Sequence, residues 1–268
     1  MHVRLLEKRC KSTAIPLNVQ TREEKGPKRT LHICRKCSTF APELKYYHFK
    51  FIIMNLKKVF SNFCEELQKR TEFTSEDTIR YYWYISMLKN DPNLNNYILE
   101  APYGTLKNKE LDLLYSDVTT PEYLAFEIKF HRKNKPSTFA HTDAAGAMFG
   151  DILRLQHVSF SSKNGRRFFL YVTDSEMDKY LRNTSNLYRK MLNDFYVMSP
   201  SHKLSLPSIS HTDLPKTFLQ NAYASLTTKP TIFNVTTIQL LEKWDNSSMS
   251  SSSFLGKECH VRLYEIVD

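Results

Sequence analysis

Asp112, Glu127 and Lys129 are the residues whose types and spacing could do chemistry in this chain of 268 residues. They fall in two strand-like stretches, "ELDLLY" and "YLAFEIKF". Side chains alternate between faces along a strand, so residues two apart share one. In the second stretch Leu124, Phe126, Ile128 and Phe130 make a uniformly apolar face, against Tyr123, Ala125, Glu127 and Lys129 on the other. In the first, Leu111, Leu113 and Tyr115 make the apolar face and Glu110, Asp112 and Leu114 the opposite one. Paired as a hairpin, the strands bring Asp112 toward Glu127 and Lys129 on a common face. Two carboxylates and an ammonium within about 7 Å are costly unless they serve each other or a cation. A divalent ion resolves the conflict, and the hard oxygens of Asp112 and Glu127 suit Mg²⁺. Lys129 could orient or deprotonate an ion-bound water, its pKa lowered by burial and by the ion. Glu110 reads as a supporting charge at the rim.

The elements that must position these residues begin at Met54. Leu56, Val59, Phe60, Phe63 and Leu67 recur at three and four, an amphipathic helix. "TSEDTIRYYWYISMLK" predicts a second, with Thr74 or Ser75 as N-cap and Glu76 and Asp77 in the first turn. Its "YYWY" reads as core rather than as a base-stacking platform. Strands follow near 109–116 and 122–130, with "SDVTTP" as the turn. "HTDAAGAMFGDILRLQHV" predicts a helix whose small residues let it lie close on a sheet, and "RRFFLYVTD" a strand buried on both faces. Two more helices follow, then a long Ser/Pro/Thr-rich loop from Ser199 to about Pro230, and strand-like segments before and after "SSMSSSS". The tail is expected to return to the sheet or to build a small extra one. The pattern predicts an α/β fold with a mixed central sheet flanked by helices.

Asp112 followed by Glu127-Ile128-Lys129 on adjoining strands resembles the pattern of the PD-(D/E)XK nuclease superfamily, which includes restriction endonucleases and Holliday junction resolvases. The resemblance spans residues 56–174, with "NYILEAPY" as the first strand of the meander. Lys109-Glu110-Leu111-Asp112 lacks the Pro-Asp pair that names the motif. The resemblance implies a restriction-endonuclease-like fold and Mg²⁺-dependent hydrolysis of DNA, with Mn²⁺ as substitute and a homodimer where both strands are cut. It implies that Asp112, Glu127, the Ile128 carbonyl and Glu76 hold the ion while Lys129 assists the attacking water. The alternative is a nuclease-like module that binds DNA without cutting it; an enzyme acting on RNA or single strands is a further rival.

Arg132, Lys133 and Lys135 after the second strand, and Arg166 and Arg167 before the later one, are candidates for holding phosphates of double-stranded DNA. Asp151 and Arg154 lie three apart and read as a structural ion pair on the helix side facing away from the sheet, with a supporting role near the site as the alternative. Cys34-x-x-Cys37 with His32 and His48 supplies only part of a zinc ligand set, and five cysteines without a framework point to free thiols in a reducing compartment. The net charge of +10 is concentrated in residues 1–53, where 12 Lys and Arg face 4 Asp and Glu, leaving +2 for the rest. That segment shows no sustained periodicity and reads as a basic, flexible extension before a nuclease core at 54–198 and a C-terminal extension at 199–268 that holds any substrate recognition. No run of about 18 apolar residues could span a bilayer, and no secretory leader is visible. An intracellular location, cytoplasmic or nucleoid-associated and away from membranes, is expected. There is no Walker A sequence to bind nucleotide phosphates.

Overall fold

The computed structural model describes residues 54–69, 75–106, 108–117, 122–132, 140–160, 164–205, 208–226, 230, 232–233, 235, 237–246 and 259–267. The expected extension over 1–53, with its cysteine and histidine pairs, and Lys133, Lys135 and the loop 247–253 lie outside these residues.

Helices α1 (Leu56–Gln68) and α2 (Glu76–Leu88) each start at a side-chain cap. Asn55 accepts from the Lys58 N–H at 3.1 Å and Ser75 from the Thr78 N–H at 3.3 Å, satisfying amides that the first turn leaves open. Their apolar stripes, Val59, Phe63 and Leu67 on one and Ile79, Trp83 and Met87 on the other, are fully buried. Trp83 wedges between Phe63 and Phe126, with centroids 5.4 and 5.5 Å away, so that part of "YYWY" is core. Tyr81 of the same run is 59% exposed.

Seven of the described strands form one mixed sheet. Its first half is an antiparallel meander, β1 (Tyr97–Pro102), β2 (Glu110–Asp117) and β3 (Glu122–His131). Helix α3 (His141–Leu155) then crosses over to β4 (Gly165–Asp174), which runs parallel to β3. Leu124, Phe126, Ile128 and Phe130 pack under α1 and α2 with Phe168, Leu170 and Val172, as the alternation predicts. Ala125, Phe169 and Tyr171 face α3.

Past β4 come α4 (Ser175–Leu181), α5 (Leu187–Val197), β5 (Lys203–Leu204), β6 (Ile209–Ser210), α6 (Lys216–Ala222), β7 (Ile232–Phe233), β8 (Thr237–Asn246) and β9 (Cys259–Val267). The tail does both things expected of it. Strands β9, β8 and β5 extend the main sheet beyond β4, and β6 pairs with β7 as a separate ribbon.

Two expectations need correction. The segment 199–230 is not one long loop, because it contains α6 and two short strands. The small residues of α3 also serve a purpose other than the one read from sequence. A Cβ on Gly146 would stand 2.5 Å from the Phe218 carbonyl oxygen, and one on Gly150 would stand 3.1 Å from that of Asn221. The glycines therefore admit the backbone of α6, while Ala145, Met148, Phe149 and Ile152 fill the core. Among the described residues no helix is long and apolar enough to cross a membrane.

Candidate functional site

Strands β2 and β3 pair from Asp117↔Glu122 down to Leu113↔Phe126, and there the ladder stops. Strand β3 continues to His131 without a backbone partner on that side from β2. An inner-strand N–H left open in this way is unfavourable unless something accepts it. Two carboxylates do. Ile128 N–H donates to Asp112 Oδ2 at 2.7 Å, and Phe130 N–H donates to Glu76 Oε2 at 3.2 Å. A residue's N–H and C=O leave a strand on the same side, so the Ile128 carbonyl opens into this gap as well.

The parting of the strands brings the two helical layers together. Leu113 and Tyr115 pack toward α1 and α2, whereas Leu111 joins Ala101, Tyr103 and Ala125 on the α3 side, so β2 turns over around Asp112. On the α2 side, Arg80 bridges Asp112 Oδ1 at 2.9 Å, Glu76 Oε1 at 3.0 Å and Asp77 Oδ1 at 3.1 Å. On the α3 side, Arg154 bridges Asp151 Oδ1 at 2.6 Å and Glu127 Oε2 at 3.1 Å, and the Tyr103 hydroxyl donates to Glu127 Oε1. Lys129 joins the halves, with Nζ 3.2 Å from Glu76 Oε2 and 3.7 Å from Asp151 Oδ2. One chain of charges thus runs from Arg80 to Tyr103 through the split.

The balance of that chain is negative. Glu76, Asp112, Glu127 and Asp151 face Arg80, Lys129 and Arg154, and the exposed Asp77 adds a further acid. Burial pushes the Asp112 carboxyl up to about 6 despite Arg80 and the Ile128 amide. Burial, with the charge of Asp151 beside it, pushes Glu127 up to about 8, and Arg154 offsets only part of this. Asp151 is raised by burial too, against the pull of Arg154 and Lys129. For all three acids burial is the larger cause, and the positive charge beside them offsets only part of it.

Burial acts on Lys129 as the sequence leads one to expect, but its acidic neighbours act the other way. Burial lowers its pKa, but Asp151 and Glu76 more than offset that and hold the ammonium above its ordinary range. Lys129 is a cation here, suited to donating hydrogen bonds rather than to accepting a proton.

Of the residues named from sequence, Asp112, Glu127, Ile128, Lys129 and Glu76 meet at the split. Asp151 and Arg154 do form the ion pair expected of them, but the pair faces the sheet and holds Glu127 instead of pointing away. Arg132 lies just past β3. Arg166 and Arg167 stand at the opposite end of β4, level with Leu124 and Ala125, and have local partners. Arg166 makes two hydrogen bonds to Glu265, at 2.7 and 2.9 Å, and Arg167 donates to the Val158 carbonyl at 3.0 and 3.2 Å. Sequence reasoning missed Arg80 and Tyr103. Arg80 had a signal, being four residues from Glu76 on one helix face; Tyr103 had none.

Among the described residues a second polar cluster brings Asp178, Asp245 and His260 within 4.8 Å of one another. It differs from the split in its balance of charge. Arg182 holds Asp178 at 2.8 and 2.9 Å, and the Tyr196 hydroxyl donates to Asp178 at 2.8 Å. Arg262 holds Asp245 at 2.6 Å, and His260 Nδ1 lies 2.8 Å from Asp245. Burial alone would raise Asp245, yet the His260 hydrogen bond and the Arg262 charge hold it well below the usual carboxylate range. Two acids with two arginines need no ion, and the cluster ties α4 to β8 and β9.

The donor set at the split, carboxylate and carbonyl oxygens, is of the kind a hard divalent cation takes, but among the described residues no three of its acids bring ligand atoms within 4.8 Å of one another as Asp178, Asp245 and His260 do. No protein-family model, no curated protein and no solved structure matches the chain.

Proposed function

We propose that this protein is a Mg²⁺-dependent endonuclease of restriction-endonuclease-like fold that hydrolyses phosphodiester bonds in double-stranded DNA. The observation that carries the reading is the gathering of Asp112, Glu127, Lys129 and Glu76 where β2 and β3 part, with burial raising both central acids. Asp112, Glu127, the Ile128 carbonyl and Glu76 would hold the cation. When bound, such an ion stabilises charge on phosphoryl oxygens and lowers the pKa of bound water. The chain's own residues supply positioning. Glu76 and Asp151 fix the Lys129 ammonium beside the acids, where it donates a hydrogen bond to the attacking water or to a phosphate oxygen as charge builds there. Arg154 and Tyr103 each hold one oxygen of Glu127 and so set the orientation of its carboxylate.

A second reading, a nuclease-like module that binds DNA without turnover, is favoured by one feature: Asp112 and Glu127 each already carry an arginine. Incubation of the protein with plasmid separates the two. The endonuclease reading expects fragments in Mg²⁺ or Mn²⁺, none in a chelator, and none from Asp112→Ala. Binding without fragments would establish the second reading, and cleavage undiminished in Asp112→Ala would place the chemistry elsewhere.

A further inference from the structure

Arg80 is held in a way that a purely structural arginine would not need. Its guanidinium reaches three carboxylates at once, Glu76, Asp77 and Asp112, and it remains 34% exposed. It lines an open cleft of about 170 Å³ with Asp77, Tyr81, Leu99, Glu100 and Asp112. Its Nε is buried without a hydrogen-bond partner, so the fork is not saturated where it stands. The backbone across the cleft is locally irregular. Leu99 pairs with Leu113 and Ala101 with Leu111, while Glu100 between them sits at φ +53°, a left-handed conformation few non-glycine residues adopt. Arg80 and the Asp112 it holds thus line one cleft.

Asp112 has two oxygens. One accepts the Ile128 amide and the other takes Arg80. A cation that uses Asp112 must compete with Arg80 for the second oxygen. Asp77, 73% exposed and 3.1 Å away, gives the displaced guanidinium a partner at the mouth of the cleft. There the planar fork of an arginine is matched to a phosphate, which it binds through two parallel hydrogen bonds.

We infer that Arg80 is a positioning residue that couples cation binding to DNA binding: it holds Asp112 until a divalent cation takes that carboxylate, and then turns in the cleft to grip a phosphate of the duplex. This rests on the proposed nuclease reading and adds a linkage to it. Since coupling is reciprocal, the cation must tighten duplex binding by the same factor by which the duplex tightens cation binding.

The test is a binding cycle and needs no turnover. Ca²⁺, a hard oxygen-seeking ion, is titrated into the protein with and without a labelled 20-base-pair duplex, and a denaturing gel checks that the duplex stays intact. The wild type is expected to show coupling of about fivefold or more. Arg80→Ala should bind Ca²⁺ more tightly without DNA, because the competitor is gone, and its coupling should collapse toward one. Arg80→Lys, which keeps the charge but loses the fork, should restore the coupling only in part. Loss of positive charge alone would shift Ca²⁺ affinity equally with and without the duplex; coupling in Arg80→Ala equal to that of the wild type therefore overturns the inference. Thermal melting confirms that each variant is folded, and if Arg80→Ala is not, wild-type coupling in Arg80→Lys serves as the refuting result. Failure of the nuclease reading looks different: the wild type would then bind no Ca²⁺ that Asp112→Ala abolishes.

Discussion

Glu127 makes the protein less stable where it would be most useful. Its carboxyl is buried beside Asp151 and keeps its proton up to about 8, whereas in the unfolded chain it ionises near 4.5. Between those values the native state binds more protons than the unfolded one, so stability falls as pH rises. The contribution is complete below pH 4.5 and gone above 8. Each pH unit of difference is worth about 1.36 kcal/mol, which sets a ceiling of roughly 5 kcal/mol for the whole interval. Arg154 and Tyr103 remain bonded to the ionised group, and an effect of a few kcal/mol is expected.

Glu127→Gln isolates this term, because the amide has nearly the shape of the protonated acid and cannot ionise. At pH 5 the variant and the wild type should melt within a few degrees of each other. At pH 8.5 the variant should melt higher by about 5–10 °C, at roughly 2–4 °C per kcal/mol for a chain of this size. Adding Mg²⁺ at pH 8.5 should raise the wild type, by about 2.7 kcal/mol at a hundred times its dissociation constant, and should leave Glu127→Gln where it was. Calorimetric melts over the pH series check both statements. A difference between the two proteins that is the same at pH 5 and pH 8.5 would refute the picture of a carboxyl kept protonated by burial.

Lys129→Ala should abolish cleavage, by 100-fold or more on the order expected for losing a positioned hydrogen-bond donor, while Mg²⁺ still raises its melting temperature; full activity in a plasmid assay would remove Lys129 from the reaction. Gly146→Ala should destabilise despite the better helix propensity of alanine, since the new Cβ would lie 2.5 Å from the Phe218 carbonyl oxygen. A loss of about 1–3 kcal/mol is expected and a urea melt measures it; a gain would mean that α6 does not sit on α3 as described.

What the sequence revealed and what it hid divide along the range of the interactions. The apolar stripe of α1, the capped start of α2 and the alternation of β3 depend on residues at most four apart, and these were legible. Helix α6, with seven residues in a Ser- and Pro-rich stretch, is too short to be stable by itself. It exists because Gly146 and Gly150, some 70 residues earlier, make room for its backbone. The two faces of α3 were confused for the same reason: "AAGA" says that something comes close, not which element does. Arg80 and Tyr103 were missed because their partners, Asp112 and Glu127, lie far along the chain and meet them only through the fold.

The point where β2 leaves β3 joins fold to chemistry more closely than a hairpin with charged ends would. Had the ladder continued, the backbone of β2 would satisfy Ile128 and Phe130, and no carboxylate would be needed there. Because it stops, Asp112 and Glu76 must accept those amides, which places both acids at the edge of β3 whether or not an ion ever binds. The second oxygen of each carboxylate goes to Arg80, and the gap joins two helical layers that a continuous sheet would keep apart. The interruption of pairing thus positions Asp112 and Glu76 and admits Lys129, reaching both Glu76 and Asp151, into the gap between them. Charges that looked misplaced in a buried strand are the termination of that strand pair.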